Sequence, residues 1–254
     1  MGKTIILTGA SRAIAKYLLQ APHRCNVVVV ARTEAPLLEL KEQYGTQVQV
    51  VCGDITDPQV AHKALAQALL SYSKLDGLVI NHGVLPPVTR LDQFCHREWV
   101  KAYDINFFSA VELVKQCIPH LRLVRGRVVF TSSGAATGPV NGWGMYGSSK
   151  AALNHLNMTL AHEEPEIVSI SIRPGMVDTD MQHHLRCQHL GILGPKDSTK
   201  FVKAHEEGKL LKPEQPGTVI AKLVMNATHD LSGKFITFVF LPTVITIRDC
   251  VLFY

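Results

Sequence analysis

Charged residues make up only 19% of this 254-residue sequence and aromatic residues only 7%, against 46% hydrophobic residues in all. Disorder is excluded by that scarcity of charge, because a chain this apolar can bury enough surface to offset its ordering entropy. The net charge of +5 is not concentrated in a basic block. Nucleic acid is therefore not the implied partner, and a small anionic ligand accounts for the excess equally well. The six cysteines, Cys25, Cys52, Cys95, Cys117, Cys187 and Cys250, form no C-x-x-C pair and have no zinc-spaced histidines beside them. They read as reduced thiols of a cytoplasmic protein. His183, His184 and His189 fall in a polar stretch and read as solvated, so no metal is expected. There is no signal peptide pattern, and Ile6 stands where a myristoylation motif wants Ser or Thr. No apolar run reaches the roughly 18 residues of a membrane span. The nearest, 235–247, is broken by Pro242 and three threonines.

What is present is a regular alternation. Short β-branched runs at 4–8, 27–31, 47–52, 77–81, 126–132, 167–172 and 234–240 read as strands. Helical patterns at 13–20, 34–44, 57–72, 96–118, 146–163 and 216–227 separate them. Runs such as Val27–Ala31, with no polar alternation, are buried on both faces, which requires helices on both sides of a parallel sheet. The expectation is a single-domain Rossmann fold over 1–254, a doubly wound seven-stranded parallel α/β sheet flanked by helices. Ligands then bind at the carboxyl ends of the strands. The segment at about 180–215, rich in Gly, Pro, His and Lys, reads as an irregular lid over the substrate. After 234–240 comes a β-branched stretch with Arg248 and Asp249 as its charges, which reads as an assembly surface or as translated non-coding sequence.

The first strand leads into Thr8-Gly9-Ala10-Ser11-Arg12-Ala13-Ile14-Ala15. A strand, a tight glycine turn and a helix N-terminus together make a dinucleotide site, with unpaired N–H groups facing a pyrophosphate. Ala13 places a methyl where backbone usually approaches the phosphates. After the second strand the chain reads Ala31-Arg32-Thr33, with no acidic residue to accept from a ribose 2′-OH. Arg12 and Arg32 instead suit a 2′-phosphate, so NADP(H) is the expected cofactor rather than NAD(H).

Tyr146 and Lys150 lie four residues apart and share one helix face. A nearby ammonium favours the phenolate and lowers the tyrosine pKa, fitting Tyr146 to exchange a proton with a carbonyl oxygen. Ser132 and Ser133 close the strand 13 residues earlier, where a hydroxyl can hold that carbonyl. Trp143 and Met145, Val84, Leu85 and Pro86, and Met181 in the lid offer an apolar, partly aromatic pocket for a bulky substrate.

Together these stretches resemble the short-chain dehydrogenase/reductase family, whose T-G-x-x-x-G-x-G turn appears here with Ala13 and Ala15 in place of the later glycines. The resemblance covers residues 3 to about 240. It implies Ser133 rather than Ser132 as the catalytic hydroxyl, with Tyr146 and Lys150, and Asn106 as a relay residue beside Lys150. It places Gly9, Ser11 and Ile14 at the phosphates, Thr33 with Arg12 and Arg32 at the ribose 2′-phosphate, and Asp54 and Ile55 at the adenine. Asn81 and Gly83 come from a stretch similar to N-N-A-G, in which His82 replaces alanine. Pro174, Gly175, Val177 and Thr179 match the turn that supports the nicotinamide. GDITD, DINFFSAVELV, YGSSKAALNH and PGMVDTDMQ are similar to a fungal subgroup akin to benzil reductases, and beyond it to sepiapterin reductases.

What this implies is an NADPH-dependent carbonyl reductase acting on a ketone or α-diketone, with Tyr146 as general acid. A homodimer or homotetramer assembled through 96–118 and 146–163 is likewise implied. Two other readings remain: an NADP-binding interaction protein without strong catalysis, and an alcohol dehydrogenase working oxidatively with the same residues.

Overall fold

A computed structural model describes residues 2–9, 12–238 and 251–252, without the side chains of Arg12 and of the last pair. Ser11 and the apolar stretch at 239–250 thus lie outside the described residues.

The β-branched runs form the strands expected of them. They are β1 (Thr4–Thr8), β2 (Asn26–Ala31), β3 (Val48–Cys52), β4 (Gly77–Ile80), β5 (Arg127–Thr131), β6 (Val168–Arg173) and β7 (Phe235–Thr237). All are parallel, in the order β3-β2-β1-β4-β5-β6-β7. Ile6 of β1 sits in register with Val28 on one side and Leu78 on the other. Chain order reverses between β1 and β4, and a crevice opens at their carboxyl ends. An eighth strand, β8 (Val251–Leu252), adds antiparallel to β7 beyond the expected seven.

Helices cover both faces. On one lie α1 (Arg12–Leu19), α2 (Ala35–Tyr44) and α9 (Glu214–Asn226), which bury Ile14, Leu18, Leu37 and Val219 against Ile5, Leu7 and Val29. On the other lie α3 (Pro58–Tyr72), α5 (Ser109–Leu123) and α6 (Gly144–Glu163), which bury Leu65, Leu113 and Leu153 against Ile6, Leu78 and Phe130. Asp57 starts α3 as an N-cap, its carboxylate accepting from the Gln59 amide at 2.9 Å. Among the described residues no helix is long and apolar enough to cross a membrane.

Two elements depart from the sequence reading. The pattern at 96–118 is not one helix: α4 (His96–Tyr103) passes through a π turn (Asp104–Phe108) into α5, which runs on to Leu123 through Pro119. The segment 180–215 is largely helical, with α7 (Asp180–Gln188) and α8 (Leu190–Glu206) separated by little more than His189. Gly191, Gly194 and Pro195 hide these helices from a compositional reading. Gly194 indeed breaks α8 with φ 75°. Tertiary burial outweighs that local weakness, because Leu185, Leu193 and Phe201 form a separate apolar cluster with Val88.

Candidate active site

The end of β1 is built around one close approach. Gly9 has φ 58°, and a Cβ on it would lie 2.6 Å from the His82 Cα and 2.7 Å from the His82 nitrogen. Only glycine fits there, and it lets the turn lie against the loop leaving β4. Asn81 ties the strands together: its side-chain amide donates to the Gly9 carbonyl at 2.9 Å, and its Oδ1 accepts from the Thr131 hydroxyl at 3.0 Å. Its role here is to join β1, β4 and β5 at their carboxyl ends.

Beside this junction lies a cavity of about 250 Å³. Gly9, Arg32, Thr33, Asp54, Ile55, Asn81 and Gly83 all line it. The structure therefore gathers seven of the residues expected to hold a dinucleotide. Arg32 lies close enough to Asp54 to help hold its carboxyl below the ordinary range, although the larger cause is the Thr56 amide that donates to it at 3.0 Å. Ile14 does not face the cavity; its side chain is in the core beneath α1. Ala13 also differs from expectation. Its methyl lies against α9, where a Cβ on Gly217 would come within 3.0 Å of it. The glycine missing at position 13 is thus offset by one on the neighbouring helix.

The second group sits between β5 and α6. Ser132 and Ser133 point opposite ways, as successive residues of extended backbone must. Ser132 is buried against α6, its hydroxyl 3.4 Å from the Lys150 carbonyl, while Ser133 lies beside the Tyr146 phenol closely enough to oppose its upward shift. Gly147 permits this meeting, since a Cβ there would lie 2.8 Å from the Ala135 carbonyl oxygen. Lys150 is buried and donates to the Thr131 carbonyl at 2.9 Å. Its Nζ is 5.9 Å from the centre of the Tyr146 ring.

The electrostatics differ from the sequence expectation. Burial pushes the Tyr146 phenol upward, and what opposes it is the Ser133 hydrogen bond rather than the lysine charge. Burial pulls Lys150 down to about 8. Burial thus shifts both groups toward their neutral forms, with Tyr146 neutral and Lys150 still protonated below about pH 8.

Asn106 occupies the π turn and is fully buried. Its Oδ1 accepts from the Val84 amide at 2.8 Å, and its Nδ2 donates to the Val84 carbonyl at 3.0 Å and to Ser149 at 3.2 Å. It clamps the loop after β4 as a strand partner would. Gly83 bridges the two groups: a Cβ on it would lie 3.2 Å from Lys150 Nζ and 3.4 Å from Asn106 Oδ1. Pro174, Gly175, Val177 and Thr179 do not line the cavity. They form the turn from β6 to α7, fastened where Leu211 accepts from Asp178 and donates to Met176, each at 2.8 Å.

Residues 3–189 match the family of short chain dehydrogenases. The chain belongs to that family. An uncharacterized oxidoreductase of Saccharomyces cerevisiae is 42% identical over 245 residues, covering 94% of this chain and 96% of the relative. A benzil reductase ((S)-benzoin forming) of the same yeast is 40% identical, with 94% and 96% covered. The crystal structure of a short chain dehydrogenase/reductase from S. cerevisiae superposes with a TM-score of 0.90 at 40% identity, covering 93% of this chain and 96% of that one.

This short-chain dehydrogenase is therefore an oxidoreductase, and its site has parts that the sequence reading passed over. Phe201 of α8 packs on Trp143 at 5.4 Å, and Trp143 meets Tyr146 edge-on at 5.3 Å. Nothing in a Gly- and Pro-rich segment marks Phe201 as part of the site; only its place in α8 does.

The buried lysine has a measurable consequence. Between pH 8 and its ordinary 10.5, Lys150 holds a proton in the unfolded chain but not in the folded one. Its contribution to stability therefore rises with pH through that window and is lost as pH falls toward 8. The difference in denaturant midpoint between the unsubstituted dehydrogenase and Lys150→Met should widen in favour of the former from pH 8 to 10.5. A difference that stays constant with pH would contradict the buried, deprotonating lysine.

Proposed function

We propose that the protein is an NADPH-dependent carbonyl reductase that reduces a ketone or α-diketone, with Tyr146 as general acid. The observation that carries this reading is the buried Tyr146 phenol with Ser133 beside it, neighboured through Lys150 and Gly83 by the cavity lined by Arg32. When bound, the dinucleotide supplies the hydride. Arg32 and Thr33 hold its ribose 2′-phosphate, Asp54 and Ile55 its adenine, and Gly9 lets backbone approach its pyrophosphate. Ser11, Arg12 and the Ile14 backbone complete that turn, while Pro174, Gly175, Val177 and Thr179 support the nicotinamide. Ser133 orients the substrate oxygen. Tyr146 delivers the proton, and Lys150 stabilises the phenolate left behind. Asn106 keeps the neighbouring loop in place. Trp143 and Phe201 form an apolar wall suited to aromatic substituents, in line with the relative described as a benzil reductase.

The same reading takes the chain as one domain in the cytoplasm. Exposed apolar side chains in α4, α6 and the turns beside α4 support self-association into a homodimer or homotetramer. Phe94, Val100 and Phe108 there are 51%, 45% and 52% exposed, and Met158 of α6 is 50% exposed.

The deciding measurement is oxidation of NADPH and of NADH in parallel, with benzil, simple ketones and quinones. Arg32→Glu should lower the preference for NADPH over NADH by about 10–100-fold, the worth of a charge-assisted contact to phosphate. An unaltered preference would move the 2′-phosphate away from Arg32. Failure of every carbonyl tested, with NADPH still bound, would favour a non-catalytic binding protein.

A further inference from the structure

His82 stands between the two halves of the site, and its imidazole is buried. Both ring nitrogens have partners. Nδ1 lies 2.7 Å from the Thr8 hydroxyl, and Nε2 lies 2.9 Å from the Ser109 hydroxyl. The proton positions follow from the partners. Ser109 donates to the Ile105 carbonyl at 2.8 Å, so toward His82 it can only accept. Thr8 has two acceptors in reach, the Val79 carbonyl at 3.2 Å and Nδ1 at 2.7 Å. The shorter contact on each side corresponds to Nε2 carrying the hydrogen and Nδ1 accepting from Thr8. The Thr8 oxygen in turn accepts from the Asn81 amide at 3.2 Å. In this tautomer Ser109 keeps its bond to the Ile105 carbonyl, and Thr8 turns from the Val79 carbonyl to the ring.

Burial and the nearby Lys150 charge pull His82 down to about 3, the Ile105 carbonyl opposing them. The ring is neutral across the physiological range.

The connections are specific. The His82 backbone underlies Gly9 at the cofactor turn. Its side chain reaches Ser109 and, through it, Ile105, the residue preceding Asn106. Thr8, His82 and Ile105 also share the wall of the cavity. A π turn leaves the local helical ladder irregular, so its conformation depends on outside partners.

We propose that His82, as the neutral Nε2–H imidazole, is a positioning residue that holds the Asn106-bearing π turn in register with the cofactor turn. Its effect on turnover rests on the reductase reading; its effect on Asn106 does not. Small misplacements of such supporting groups lower rates far more than they lower binding.

The test compares His82→Ala, Ser109→Ala, their double variant and His82→Gln, each assayed well below its melting temperature. Each single alanine variant should lose about tenfold in kcat while the KM for NADPH changes by less than about threefold. The double variant should be no worse than the poorer single one, since both remove one link. His82→Gln, which keeps a donor and an acceptor, should recover part of the loss. A merely structural histidine would lower the melting temperature and leave kcat alone. Additive losses, or an unchanged kcat in His82→Ala, would overturn the proposal.

A second readout needs no turnover. The Asn106 side-chain amide protons should exchange slowly in the unsubstituted protein and rapidly in His82→Ala. Equal exchange in the two would overturn the positioning role. If the unsubstituted protein reduces no carbonyl while Asn106 protection still depends on His82, the reductase reading fails and the positioning role stands.

Discussion

Replacing Tyr146 with phenylalanine should lower kcat by about 10²–10⁴-fold, the usual worth of a positioned general acid, with NADPH affinity unchanged. The variant isolates one oxygen. The ring stays where it is, edge-on to Trp143 at 5.3 Å, so no cavity opens in the wall. Ser133 loses its partner but still accepts from the Ala135 amide at 3.2 Å. Because burial keeps the phenol protonated, it is poised to give its proton to a carbonyl oxygen rather than to take one at the start. Steady-state rates and NADPH fluorescence titration, run on the same preparation, make the test. Full activity in the variant would remove Tyr146 from the mechanism.

Gly9→Val should abolish NADPH binding and lower the melting temperature by about 5–10 °C, from backbone strain at positive φ and a collision with the neighbouring loop. The collision has no easy relief. The atoms in the way are the His82 Cα and nitrogen, 2.6 and 2.7 Å from the new Cβ, and they belong to the junction that Asn81 and Thr131 hold. Gly208 supplies a control. It has φ 62°, but a Cβ there meets nothing within 4 Å. Gly208→Ala should therefore show the strain alone and keep NADPH binding. Retained NADPH affinity in Gly9→Val would mean that the cofactor turn does not bind where the cavity lies.

Much of the sheet was legible in the sequence because each strand is short, β-branched and buried on both faces. Val27–Val30, for example, has no other stable place than between two helical layers. The expected strand boundaries differ from the observed ones by a residue at most for β1 to β6. The candidate site residues were legible as types at spacings. Tyr146 and Lys150 needed only a helix, and Ser133 needed only a strand end. What the residues could not declare is direction. The choice between Ser132 and Ser133 depends on which hydroxyl turns toward the Tyr146 phenol and which toward the α6 backbone. Ala13 looked like an obstacle until α9 came alongside with Gly217. The balance of effects on Tyr146 also escaped, because burial is a tertiary quantity and the spacing to Lys150 does not contain it. The helices α7 and α8 were hidden for a related reason: their local sequence is weakly helical, and Leu185, Leu193 and Phe201 supply the stabilisation only once they find Val88 and Trp143.

That last cluster gives the molecule two grades of rigidity. The residues under α7 and α8 form their own apolar nucleus, distinct from the two that sandwich the sheet. Opening α7 and α8 need expose only the smaller nucleus, so their amides should exchange through a sub-global event while the strands keep their protection. On the proposed reductase reading, substrate entry would require only α7 and α8 to move, while the sheet beneath Ser133, Tyr146 and Lys150 stays assembled.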